Sequence, residues 1–136
     1  MKFNEFINNK KVIIGQKDIQ KSNALIKMSN KNMKFLLTLP INDSSSSTIF
    51  TSLYEALRQI LEAIALKKGF KVYSHEAYTS YLEELNEYSI SQKFDRYRKL
   101  RNGANYYGKS IPIEVTKNVK EEILRIRKKL IEKYLK

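Results

Sequence analysis

Apolar residues recur at spacings of three and four almost from end to end, and this period is what most constrains the fold. The clearest stretch is Ile49 to Lys68, where Ile49, Leu53, Ala56, Leu57, Ile60, Leu61 and Ile64 share one face. Apolar groups gathered with a helical period are buried by packing helix against helix. Phe3 to Asn8 reads as a short helix. Gly15 precedes a longer one from Lys17 to Leu39, with Ile19, Ile26, Met33 and Leu36 inward, flanked by Leu25, Met28, Phe35 and Leu39, and Pro40 ends it.

Ser44 to Thr48 reads as a polar loop whose hydroxyls cap the next helix. Gly69 stops that helix. Residues 70–74, FKVYS, read as an extended connection, since no second strand is evident to pair with them. His75 to Leu85 follows, with Ser74 as its cap. The next helix runs from Ile90 to Tyr107, with Phe94, Tyr97, Leu100 and Ala104 inward, and Gly108 breaks it. Pro112 opens the last helix, whose stripe is Val115, Val119, Ile123, Ile126, Leu130 and Tyr134. The spacing predicts an all-α, antiparallel up-and-down bundle of four long helices plus a short N-terminal helix. One domain over residues 1–136 is expected, with 1–15 an N-terminal extension and 16–136 the bundle.

Composition removes several kinds of function. With no Cys and one His, the 136 residues offer no disulfide, no thiol nucleophile and no Cys-based or multi-His metal site. The four glycines form neither a dinucleotide fingerprint nor a phosphate loop, and no cofactor is expected. No apolar run reaches the ~18 residues of a membrane span, so no membrane association is expected. MKFNEFINNKK lacks a signal-peptide core, and a cytoplasmic protein is the expectation.

The net charge is +12, unevenly placed. Residues 1–50 hold 8 basic and 3 acidic groups, residues 51–100 hold 8 and 7, and residues 101–136 hold 10 and 4. The excess suits an anionic partner such as RNA or a nucleotide. A solvated Lys-rich surface produces the same arithmetic, supported by i,i+4 pairs such as Glu121–Arg125.

Residues 94–109, FDRYRKLRNGANYYGK, are the most informative stretch. Arg98, Arg101 and Asn105 stand three and four apart and share a helix face. Asn102 and Tyr106 form a neighbouring pair. Gly103 costs about 1 kcal/mol relative to Ala in mid-helix, which invites a close approach by a ligand or another backbone. A helix that places Arg, Asn and Gly on one side is not optimised for packing alone. The competing reading is that Arg101 and Asn102 pair with Asp95, Glu84 or Glu87 and only fix the bundle.

From Tyr54 to Leu82 (YEALRQILEAIALKKGFKVYSHEAYTSYL) and from Arg98 to Pro112 (RKLRNGANYYGKSIP), followed by a final amphipathic helix, the chain resembles the HEPN family of small helical domains from prokaryotic toxin–antitoxin and defence systems and RNA-processing proteins. The resemblance covers about residues 16–135. The family signature is an Arg, a polar residue, and a His four to six positions after the Arg. In active members two protomers bring these residues together in a dimer cleft and cut RNA without a metal. Carried over, the Arg is Arg101 and the polar residue Asn102. The His is absent, and Tyr106 or Tyr107 stands in its place; a Tyr hydroxyl, with a reference pKa near 10, is a poor general base.

The resemblance therefore implies a homodimeric, catalytically impaired module that binds nucleotide or RNA through Arg98, Arg101, Asn102, Asn105 and Tyr107. It also implies a small nucleotidyltransferase as a protein partner, since some family members are modified by one on a nearby Tyr. The alternatives are a metal-independent endoribonuclease using Arg101 and Tyr106 as catalytic residues, and a purely structural interaction domain. His75, at a helix start, reads as a capping or packing residue. Of the nine tyrosines, Tyr54, Tyr81, Tyr97 and Tyr134 fall near apolar stripes, whereas Tyr88, Tyr106 and Tyr107 are the candidates for exposure.

Overall fold

A computed structural model describes residues 1–136 as six helices and two short strands. In chain order these are α1 (Phe3–Asn8), β1 (Val12–Ile14), α2 (Ile19–Leu36), α3 (Ser46–Lys67), β2 (Phe70–Val72), α4 (His75–Glu84), α5 (Tyr88–Tyr107) and α6 (Ile113–Tyr134). The chain is mostly helical, as its periodicity predicts, and no helix is long and apolar enough to cross a membrane.

The most apolar helix occupies the centre. α3 is in contact with α2, α5 and α6, and Phe50, Leu53, Ala56, Leu57 and Ile60 are fully buried. Ser22 and Ser29 of α2 donate to the carbonyls of Ala63 and Ala56, so α2 runs antiparallel to α3. Tyr97 of α5 packs on Phe50 and Phe94 on Tyr54, which sets α5 antiparallel to α3 as well. α6 runs with α3 instead: the two N-termini meet where Ser46 donates to Thr116 at 2.8 Å. The directions of the four long helices therefore alternate along the chain, and α3 is the one that the other three contact.

The structure corrects several local expectations. FKVYS does have a partner: β2 pairs antiparallel with β1, Val12 opposite Val72. The first 15 residues share the common core, since Phe3, Phe6 and Val12 belong to its buried cluster. Phe3 packs against Phe70 and Tyr81. The strand pair ends where the Gly15 amide donates to the Gly69 carbonyl; Gly69 has φ +90°, and a side-chain Cβ there would sit 2.6 Å from the Gly15 carbonyl oxygen. Only glycine accommodates both constraints.

The serine run is not a capping loop, because α3 already begins at Ser46 and Ser45 makes no capping bond to it. Asn42 accepts from the Ser44 and Ser45 amides, while Ser47 accepts from the Ile111 amide and ties down the α5–α6 connection. Ser74 occupies the cap position of α4 without a side-chain capping bond, and Asp18 caps α2. On α2 the expected apolar stripe is only half right: Met33 and Leu36 are buried, Ile26 half-buried, and Ile19, Met28 and Phe35 exposed. Ser22 and Ser29 complete the inward face, because small hydroxyls let the helices approach and still satisfy their own polarity.

Glu87 joins the start of α5 to the end of α6. Its buried carboxylate accepts from Tyr134 at 2.7 Å and meets Lys133 at 2.9 Å and Lys129 at 3.2 Å. Burial alone would raise its pKa, but the hydrogen bonds from Tyr134, Lys133 and Lys129 outweigh it and leave the carboxyl below its ordinary range. A carboxylate with a depressed native pKa contributes stability that is complete above its unfolded pKa and is lost as pH falls through the native one. The melting temperature is therefore expected to drop below pH ~4.3. In Glu87→Gln that acid dependence is expected to be shallower, with the part due to Asp95 remaining; an unchanged profile would contradict this role.

Candidate functional site

The informative stretch lies on α5, and its polar residues meet α3 and α4. Phe94 and Tyr97 are fully buried and fix the rotation of α5 about its axis. That rotation brings Arg98, Arg101 and Asn102, all half-buried, to the line where α5 passes α3 and the start of α4. The Arg101 guanidinium lies 5.7 Å from the centroid of the Tyr54 ring and 5.7 Å from that of Tyr106, so two aromatic faces hold it. Its Nη1 donates to the Asn102 side-chain carbonyl at 3.2 Å.

Arg101 has no carboxylate within salt-bridge distance, in contrast to its neighbours. Asp95 is taken by Arg98 at 2.8 Å and Lys99 at 3.1 Å, and Glu122 holds Arg96 at 2.8 Å. Arg58 on α3 is neutralised on both sides, by Glu55 at 2.6 Å and Glu62 at 2.7 Å. Arg101 is thus the positive charge that the cluster leaves uncompensated. The expected pairing of Arg101 with Asp95, Glu84 or Glu87 does not occur.

The chain's single histidine belongs to the same cluster. His75 Nδ1 lies 2.9 Å from the Tyr54 hydroxyl, and its ring centroid lies 5.7 Å from that of Tyr54. Arg101 and His75 therefore both lie against the Tyr54 ring. Burial lowers the His75 pKa below its ordinary value, and the positive charges of Arg58 and Arg101 lower it further. Burial raises the pKa of the Tyr54 hydroxyl well above its usual range, so it keeps its proton. Tyr54 is 1% exposed and His75 is its only side-chain hydrogen-bond partner, so the phenol proton goes to Nδ1. The neutral imidazole then carries its own proton on Nε2, which has no partner within the chain. The site offers the remaining Arg101 N–H groups and the His75 Nε2–H as unused donors, and no carboxylate lies within salt-bridge distance of Arg101.

Not every residue singled out from the sequence takes part. Arg98 faces the cluster but is committed to Asp95. Asn105 is exposed and makes no side-chain hydrogen bond. Tyr106 is 68% exposed and touches the site only through Arg101, while Tyr107 is 77% exposed and lies on another face of α5. At Gly103 a Cβ would meet only the Lys109 side chain at 3.6 Å, so no close backbone approach explains this glycine. Sequence reasoning missed Tyr54, His75 and Arg58. The available signal was an arginine in an apolar helix with glutamates three before and four after it, one turn beyond a tyrosine.

Comparison of the chain with family models, curated proteins and solved structures finds no match. No three His, Asp or Glu side chains converge in a way that would hold a metal ion.

Proposed function

We propose that this chain is a HEPN-like module that binds RNA or a nucleotide through the Arg101–His75–Tyr54 cluster without efficient cleavage. The observation that carries this reading is a half-buried arginine, held between two aromatic rings, with no carboxylate partner and with the His75 imidazole against the same Tyr54 ring. Two donors seated against one aromatic ring suit the oxygens of a phosphate. The exposed Tyr106 ring beside Arg101 adds a surface on which a base can stack.

The module acts as a homodimer in this reading. Glu55, which anchors Arg58 beside the cluster, also lines an open groove with Phe35, Leu36, Leu39 and Ile49. Phe35 is 62% and Met28 47% exposed, so an apolar edge runs beside the polar cluster for a second copy to cover. A small nucleotidyltransferase partner, in a toxin–antitoxin or defence setting, is the wider context that the family resemblance suggests. Binding of a fluorescent single-stranded RNA, followed by anisotropy at rising salt, tests the reading. Affinity is expected to fall steeply with salt, since phosphate contacts release counterions. An affinity that salt does not change would contradict it.

A metal-independent endoribonuclease is the second reading. The placement of His75 and Arg101 against the same Tyr54 ring favours it, with His75 in the acid–base role in place of Tyr106. The Nε2–H tautomer opposes it, because a base would need that nitrogen free. Incubation with structured RNA and EDTA separates the two. Binding alone predicts no cleavage; the enzyme reading predicts cleavage that His75→Gln abolishes and Tyr106→Phe leaves intact.

A further inference from the structure

A second arginine lacks a counter-charge, on the far side of α3. Arg127 of α6 is 7% exposed. Its Nε and Nη2 donate to the Ser29 hydroxyl at 3.1 and 2.9 Å, and Nη2 donates to the Asn30 side-chain carbonyl at 2.7 Å. Those acceptors are neutral, and no Asp or Glu lies within 4.0 Å, whereas the half-buried Arg58 and Arg98 both have carboxylates. Nη1 makes no hydrogen bond in the chain and is not among the fully buried unpartnered atoms, so it is the edge that reaches solvent.

The surroundings supply no acid either. One turn away on α6 stand Ile123, Leu124, Leu130 and Ile131, and no Asp or Glu occurs between Asp18 and Asp43, the span that contains α2. On α2, Lys27 and Lys34 flank Asn30 at one turn on either side, and Lys120 lies two turns before Arg127 on the same stripe of α6. Burial lowers the Arg127 pKa, and no carboxylate restores it. A buried charge is ordinarily paired, because the desolvation cost is otherwise uncompensated. A neutral side chain would make the same helix contact at lower cost, so the charge itself calls for an anion from outside.

We infer that the mouth of the α2–α6 seam is a phosphate-binding site, in which Arg127 Nη1 receives the anion and Lys27 and Lys34 flank it. It is distinct from the Arg101 cluster. Ser29, which receives Arg127, bonds to Ala56, two positions and about 200° around α3 from Tyr54. The two anion sites therefore sit on opposite sides of the central helix. The chemistry required is a phosphoryl group, from a nucleic-acid backbone or from a small phosphate.

The test uses thermal unfolding of the full chain carrying Arg101→Ala, which silences the other site. Sodium phosphate is titrated against sodium chloride at equal ionic strength. A saturable rise in melting temperature is expected, because a ligand of the native state stabilises it by mass action. Arg127→Met is expected to lose that rise while melting no lower without phosphate. The surface double variant Lys27→Gln/Lys34→Gln, which leaves the core intact, is expected to reduce the rise at least by half. No rise in the parent, or an undiminished rise in both variants, overturns the site. A labelled single-stranded RNA then identifies the source: an affinity loss of five-fold or more in Arg127→Met assigns the seam to a backbone phosphate, and an unchanged RNA affinity with the phosphate response lost assigns it to a small anion. Because Arg101 is absent throughout, failure here leaves the reading of the Arg101 cluster standing.

Discussion

Replacing Phe94 with Ala is expected to lower the unfolding free energy by about 3–5 kcal/mol, a large part of the ~5–15 kcal/mol that a domain of this size holds. Phe94 is fully buried. Its ring stacks on Tyr54 at 5.3 Å and meets Tyr78 edge-on at 6.2 Å. Truncation removes the apolar transfer energy and opens a cavity between α3, α4 and α5. It also withdraws the surface against which Tyr54 is seated, so the His75–Arg101 arrangement loosens with the core. Phe94→Leu retains most of the volume and is expected to cost less than the Ala variant. Urea denaturation checks both, and a loss below ~1.5 kcal/mol for Phe94→Ala would mean that the core does not depend on this ring.

Arg101→Ala is expected to weaken RNA binding about ten-fold or more, corresponding to the ~1.5–3 kcal/mol of a charge-assisted hydrogen bond. Little stability should be lost, because Arg101 has no salt bridge and its one hydrogen-bond acceptor is the adjacent Asn102. The dependence of log K on log salt is expected to become shallower by about one phosphate contact. Arg98→Ala should act differently. It breaks the Asp95 pair and disturbs the turn that Thr79 also reaches at 3.3 Å, so its effect on binding should come with a loss of stability. Anisotropy and denaturation of the two variants together separate a ligand contact from a framework contact. Equal binding by Arg101→Ala and the parent would remove the central role given to this residue.

How much of this was legible in sequence depended on whether the deciding contact was local. α3 was legible nearly residue by residue, because its apolar positions obey a helical period and all are buried. α2 misled, since period reads apolarity alone: Ser22 and Ser29 turn inward because their hydroxyls reach carbonyls 41 and 27 residues away. The first strand gave no signal, because three residues at 12–14 become a strand only by pairing with residues near 70. Of the tyrosines near apolar stripes, Tyr54, Tyr81 and Tyr97 are buried and Tyr134 is half-buried, while Tyr88, Tyr106 and Tyr107 are exposed as read.

The candidate site divides along the same line. Arg101 and Asn102 stand out on their own helix, where spacing alone places them on a polar side. His75 read as a cap because its neighbours in sequence suggest one. Its actual partner is Tyr54, 21 residues earlier on another helix, and a contact of that kind leaves no periodic trace. The uncompensated state of Arg101 was likewise invisible, since it depends on Asp95 and Glu122 being taken by other cations in the fold.

His75 is the only histidine, so its imidazole resonances report on the cluster without overlap. Nitrogen-15 NMR of the free protein, followed across pH, is expected to show the Nε2–H tautomer and a pKa below the ordinary histidine value. Addition of a single-stranded RNA oligonucleotide is expected to raise that pKa, because a phosphate beside Nε2 favours the protonated ring. The same rise should be absent in Arg101→Ala. A His75 that titrates at its ordinary value and does not respond to RNA would contradict the assignment of this cluster as the binding site.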